Sequence, residues 1–284
     1  IAADIIVGTS AGSIVGALLR SDVTPEDLAA WASNAEPSSD GHEFRTVMKA
    51  ADRAATPRAI PALSMPGWNM LHALRHPSQI PGAIASMLPN GLHDHSPRVA
   101  TLDRLADTWP SEPLWISAVR VGDGRLAWFG RDPGLGGTIR PADAVAASCA
   151  VPVLARPVRI GDHRYVDGSV KSPTHADVLA GEDLDLVIVL SPMGHQAGRN
   201  PLRAVPHRRV RREVAELKRA GLAVQLISPD ADTISAMGFN LMDRARTGPV
   251  MRDSFLGATA QLHASTASVL RDAGAANHPR HPLP

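Results

Sequence analysis

Residues 3–20 read ADIIVGTSAGSIVGALLR, and the fold turns on the change of period inside this stretch. Residues 3–7, Ala-Asp-Ile-Ile-Val, are a short apolar β-branched run that stops at Gly8. Such a run reads as a buried strand of a parallel sheet. Residues 11–20 then switch to helical apolar spacing. Gly8-Thr9-Ser10-Ala11-Gly12 is therefore a strand-to-helix turn of G-x-S-x-G form. Glycines at 8 and 12 are expected to remove side chains that would collide as strand and helix close on each other. Ser10 would sit at a strained elbow above the C-terminal edge of a sheet. The following helix would turn its free N–H groups and positive dipole end toward it. A serine hydroxyl needs such exposure, a nearby base and oxyanion donors before it acts as a nucleophile. The motif alone also fits a packing turn or a phosphate-binding turn.

Outward from this stretch, Thr24-Pro25-Glu26-Asp27 has the form of a helix start, with a cap, a first-turn proline and acids at the positive end. It predicts a helix to about Ala35. Residues 37–97 carry eight prolines and apolar patches such as IPALSMPGW. Only short helices fit between those prolines, so the segment reads as a helical, lid-like insertion after the first helices. A helix is expected at 98–108. Residues 114–121 and 125–129 flank Gly122-Asp123-Gly124 as a hairpin, and 156–166 form a second extended pair around Gly161-Asp162. A helix is predicted over 141–148. The apolar runs 186–190 and 222–227 read as inner parallel strands joined by a basic helix at 207–220. A last helix is expected over 250–272, with a flexible tail at 277–284. The expected fold is α/β, three αβα layers about a mainly parallel central sheet, in one domain spanning 1–276.

Composition narrows the function classes. The chain has 284 residues, 44% hydrophobic and 20% charged, as in ordinary globular proteins. The formal net charge of +1 gives no nucleic-acid footprint. The single cysteine, Cys149, excludes an internal disulfide framework and a cysteine-based zinc cluster. No run of 18 apolar residues occurs, so no spanning helix is expected, and a cytoplasmic or membrane-peripheral location is favoured. The sequence opens at Ile1, inside what reads as a strand, with no signal-peptide pattern. Further residues are expected upstream.

A second motif is Tyr165-Val166-Asp167-Gly168-Ser169. By itself Asp-Gly is a frequent turn pair. It is preceded, however, by Ala146-Ala147-Ser148-Cys149-Ala150-Val151-Pro152 and then Pro157, and followed by Pro173. Together with the G-x-S-x-G block, this ordered pattern resembles the patatin-like phospholipase family. The resemblance is close over 4–20 and about 141–192. It implies that Ser10 is a nucleophile and Asp167 its base, a Ser–Asp dyad without histidine. It further implies hydrolysis of carboxylic esters in lipids or phospholipids through an acyl-Ser10 intermediate, with no metal or organic cofactor. Motif residues on this resemblance are Gly8, Thr9, Ala11, Gly12, Gly168 and Ser169. The backbone N–H of Ala11, next after the nucleophile, is the candidate oxyanion donor.

Two departures from the family pattern stand out. Ser169 replaces the family's glycine or alanine after Asp-Gly, a small change expected to preserve the turn. Nothing at 1–7 matches the family's glycine-rich oxyanion loop, so no further oxyanion residue is assigned. A catalytically impaired or non-catalytic member of the fold, binding lipid or a partner, therefore stays open beside the enzyme. Acyl transfer to an alcohol stays open beside hydrolysis.

Other candidates are weaker. His175, His163 or His195 could complete a Ser-His-Asp triad, but the eight residues from Asp167 to His175 leave too little chain for a separate strand. His72, His76, His93 and His95 lack paired carboxylates at ligand spacing. The run His207-Arg208-Arg209-Val210-Arg211-Arg212 reads first as a solvated helix face, and second as attraction to anionic headgroups. Met65, Trp68, Met70, Leu71, Leu74 and Met87 fit either core packing or an acyl-chain wall beside Ser10.

Overall fold

The computed structural model describes residues 3–33, 35–36, 38, 41–54, 103, 108–135, 139–152, 154–194, 201–238 and 243–276. The chain forms two compact units, one of Ile1–Trp31 with Ala35–Ser172, the other of Ala32–Asn34 with Pro173–Pro284. The architecture is α/β, with a mixed sheet and flanking helices.

In the first unit, β1 (Ile6–Gly8) enters the turn that precedes α1 (Ala11–Leu19). α2 (Pro25–Ser33) follows, opened as its sequence dictates. The Thr24 hydroxyl accepts from the Asp27 N–H at 3.1 Å, and donates to the Asp27 carboxylate at 2.8 Å. α3 (Gly41–Ala54) is longer than the short helices expected in the insertion. It occupies the one proline-free stretch between Pro37 and Pro57. The rest of the insertion, with its apolar wall and its four histidines, lies outside the described residues, as does nearly all of the helix expected at 98–108.

β2 (Leu114–Arg120) is the spine of this unit. β1 runs parallel to its first half, with Ile6 opposite Leu114 and Gly8 opposite Ile116. β3 (Leu126–Phe129) and β5 (His163–Asp167) pair antiparallel with it, and β4 (Val158–Ile160) pairs antiparallel with β5. The expected mainly parallel sheet is thus corrected to a mixed one. The cause is in the turns: the short connections at 121–125 and 161–162 can only return a chain antiparallel. α4 (Pro141–Ser148) lies where 141–148 was read. The core gathers Leu18, Ile116, Ala118, Phe129, Val145 and Tyr165. Phe129 and Tyr165 meet edge to face, with centroids 5.2 Å apart.

The start of β1 is strapped down. The Arg20 guanidinium donates to the carbonyls of Ala3, Asp4 and Pro113 and pairs with Glu112. One side chain thereby fixes the entry of β1 beside the entry of β2.

The second unit holds a parallel pair, β6 (Leu186–Leu190) and β7 (Ala223–Ile227), joined by α5 (Pro201–Arg219). α5 starts six residues before the expected basic helix, and contains Pro206. Val210, Glu213 and Leu217 form its inward face. β6 is buried on one face only: Val187 and Val189 are inside, whereas Leu186, Ile188 and Leu190 are exposed. The expectation of a fully buried inner strand is corrected there. α6 (Ala231–Met237) and α7 (Thr247–Ala276) complete the unit. No helix among the described residues is long and apolar enough to cross a membrane.

The two glycines of the first turn differ in what they do. A Cβ at Gly8 would fall 2.6 Å from Ser13 Cα and 2.8 Å from the Gly12 oxygen, so backbone would have to move. A Cβ at Gly12 would meet nothing within 4 Å. The collision expected at position 12 is therefore absent. Gly8→Ala should destabilise the fold by about 1–3 kcal/mol through overpacking. Gly12→Ala, in a helical first turn, should be neutral or stabilising by up to about 1 kcal/mol. Chemical denaturation of both variants checks the contrast.

Candidate active site

Two segments converge on one edge of β2. Gly8 pairs with Ile116 and Asp167 pairs with Ala118, only two residues further along the same strand. Two residues of strand span about 7 Å. Ser10, two residues past Gly8, is delivered to the neighbourhood of Asp167 by this register. Ser117 lies between the two pairing positions. Its hydroxyl bonds the Thr9 hydroxyl at 2.8 Å and sits where a Cβ on Gly168 would fall, 2.3 Å away. Glycine at 168 is required by that close approach.

Ser10 has φ 53° and ψ −122°, a conformation that side-chain-bearing residues rarely adopt. Holding it costs on the order of 1–3 kcal/mol, supplied by surrounding contacts. Two of these are specific. The Ser10 N–H donates to the Ser148 hydroxyl at 2.9 Å, and the Ser10 carbonyl accepts from the Ser13 hydroxyl at 2.6 Å. The expectation of a strained elbow is met in the backbone itself.

The helix start above Ser10 has fewer open donors than the sequence suggests. The N–H groups of Gly12 and Ser13 are taken by the carbonyls of Thr9 and Ser10, at 2.9 and 2.8 Å. The Ala11 N–H makes no hydrogen bond among the described residues, and Ala11 is exposed. It is the open donor of this turn.

Asp167 ends β5 and is fully buried. Its N–H donates to the Ala150 carbonyl at 3.0 Å. Its Oδ1 accepts from the Ser169 N–H at 2.7 Å, capping a short 3-10 turn over Gly168–Val170. Serine at 169 preserves the turn, as expected. Oδ2 is buried and makes no hydrogen bond of standard length and angle among the described residues. Burial pushes the carboxyl above the usual carboxylate range, and the Ser10 hydroxyl followed by the Ser169 donors pull it part of the way back. The Ser10 hydroxyl therefore acts on the carboxyl from a position short of a fully aligned hydrogen bond.

Residues 1–180 match the patatin-like phospholipases, most of the chain's 284 residues. The chain belongs to the patatin-like phospholipase family. Membership implies a hydrolase of lipid acyl groups and lipid substrates. No curated protein matches the chain.

The described residues of this patatin-like chain include two of the three histidine candidates. His163, at the exposed start of β5, contacts the Arg120 guanidinium at 3.3 Å. His175 is buried in the second unit with a left-handed backbone, φ 50°, and His195 lies outside the described residues. No group of three or more metal-ligating side chains occurs among the described residues. Three serines, 13, 117 and 148, escaped notice as contributors. Ser117 carries a signal of its own, a polar residue inside the apolar strand LWISAVR. Ser148 was visible as part of a pattern, without a role.

The burial of Asp167 has a consequence for stability. A carboxyl whose folded pKa is raised contributes stability below its unfolded pKa and loses it as pH rises through the folded value. At neutral pH the Asp167 charge is thus a burden on the fold. Asp167→Asn keeps an acceptor for the Ser169 N–H and carries no charge. Its melting temperature should exceed that of the wild type at neutral pH, with the gain shrinking as pH falls toward the ordinary carboxylate range. Melting curves across that range test the sign.

Proposed function

We propose that this protein is a serine acyl hydrolase that cleaves carboxylic esters of lipids, with Ser10 as nucleophile and Asp167 as base. The observation that carries the proposal is the strained Ser10 backbone held on the same β2 edge as a buried carboxyl. The Oδ2 atom of that carboxyl has no other fixed hydrogen-bond donor among the described residues. Asp167 takes the hydroxyl proton as Ser10 Oγ attacks the acyl carbonyl carbon. Negative charge develops on the carbonyl oxygen, and the Ala11 N–H is positioned to donate to it. The tetrahedral intermediate collapses; the C–O bond to the alcohol breaks and Asp167 returns the proton to the leaving oxygen. Water then attacks acyl-Ser10 by the same route, releasing the fatty acid. No cofactor enters the cycle.

Raised basicity serves this chemistry. A carboxylate at the ordinary value is a weak base for a hydroxyl, and burial moves Asp167 in the helpful direction. The base must be ionised to act. Activity should therefore fall as pH drops through an acid limb that lies above the ordinary carboxylate range. Ser10→Ala and Asp167→Asn should each lower kcat/KM for a p-nitrophenyl acyl ester by at least about 10³-fold. Either variant retaining wild-type turnover would refute the dyad.

We also infer a peripheral contact with anionic lipid surfaces, supported by the charge on α5. Arg208, Arg211, Arg212 and Arg219 are exposed and lie at helical spacing on one side of that helix. Each basic side chain near an anionic leaflet contributes about 1 kcal/mol. Replacing Arg208, Arg211 and Arg212 by glutamate should abolish sedimentation with phosphatidylglycerol vesicles and leave hydrolysis of a soluble ester unchanged. Equal binding of the variant and the wild type would remove α5 from the contact.

A further inference from the structure

The C-terminal turn of α4 touches both halves of the site, once through a side chain and once through backbone. Ser148, its last helical residue, is fully buried, and its hydroxyl accepts the Ser10 N–H at 2.9 Å. Two residues later, the Ala150 carbonyl accepts the Asp167 N–H at 3.0 Å. Ala150 is also fully buried. One rigid turn therefore grips the nucleophile by its amide and the base by its amide.

The Ser148 contact matters because of the conformation it holds. At φ 53° the Ser10 peptide is strained, and its N–H points away from any helical or strand partner. Without an acceptor that N–H would be left unpaired against the buried C-terminal end of α4, a costly arrangement. The Ser13 hydroxyl secures the other side of the residue by donating to the Ser10 carbonyl at 2.6 Å, and lies 3.8 Å from Cys149 Sγ in the same α4 turn. The elbow is thus fastened from α1 and from α4 together. We propose that Ser148 is a positioning residue: with Ala150, it sets the distance and angle between Ser10 Oγ and Asp167 Oδ2. This rests on the dyad reading of the site.

A positioning role differs from a structural one in what it moves. Reacting groups misplaced by an ångström lose roughly 10²-fold in rate, while substrate binding elsewhere is untouched. Ser148→Ala should lower kcat for a soluble p-nitrophenyl ester by about 10- to 100-fold at nearly constant KM. The rate of Ser10 labelling by a fluorophosphonate should fall in parallel. The acid limb of the pH profile should move upward, because a displaced Ser10 hydroxyl no longer pulls the buried Asp167 carboxyl down. All rates are taken per mole of protein shown to be folded by circular dichroism. If Ser148→Ala does not fold, Ser148→Cys, close in volume but a weak acceptor, should lower kcat several-fold with the same signature. Ser10→Ala and Asp167→Asn are measured alongside. If those two are inactive and the folded Ser148 variant keeps wild-type kcat and labelling rate, the positioning role is overturned and the dyad stands. If Ser10→Ala or Asp167→Asn is active, the dyad itself fails.

Discussion

Strand β2 is shared between two partners on one edge, and the site exists because of that sharing. β1 occupies the first half of the edge and β5 the second, so Gly8 and Asp167 stand opposite Ile116 and Ala118. No local motif could impose this, because positions 8 and 167 lie 159 apart in the chain. The ladder hydrogen bonds do it, and a hydrophobic core closed around Ile116, Ala118, Phe129 and Tyr165 keeps the ladder in register. A one-residue slip of β5 would send Asp167 to the other face of the sheet. Ser117 guards the junction, bonded to Thr9 and filling the space that glycine leaves at 168.

The same junction stores two unfavourable features. Ser10 is held in a sparsely populated backbone conformation, and Asp167 is buried with one carboxyl oxygen lacking a standard hydrogen bond among the described residues. Each opposes folding, and each would serve the proposed acyl-transfer reaction. The strain exposes a hydroxyl at the mouth of a helix, while the burial raises the basicity of the group beneath it. Both persist because neighbours over-determine them: Ser13 and Ser148 at the elbow, Ala150 at the backbone N–H of residue 167 and Ser169 at its carboxyl. Stability lost at the site is regained in the apolar packing around it.

Much of this was legible from sequence, for identifiable reasons. The change of period at Gly8, the Thr24 cap, the glycine turns at 122–124 and 161–162 and the Pro141 helix start are local signals, and each element formed close to its predicted place. The mainly parallel sheet was wrong because the two hairpins already required antiparallel neighbours. An apolar run reports burial and not the direction of the strand beside it. The role proposed for Gly12 failed because spacing between glycines says nothing about which one faces a neighbour. Ser117 and Ser148 act through long-range contacts, across 108 and 138 positions, which no pattern of spacing encodes.

The central claim is that one hydroxyl and one buried carboxyl share a proton across the β2 edge. Mass-spectrometric mapping of the adduct formed with a fluorophosphonate, in the wild type and in Asp167→Asn, tests it most directly. The adduct should fall on Ser10, and its formation should slow by orders of magnitude when residue 167 can no longer accept a proton. An adduct on a different serine, or a Ser10 adduct formed at the same rate in both proteins, would contradict it.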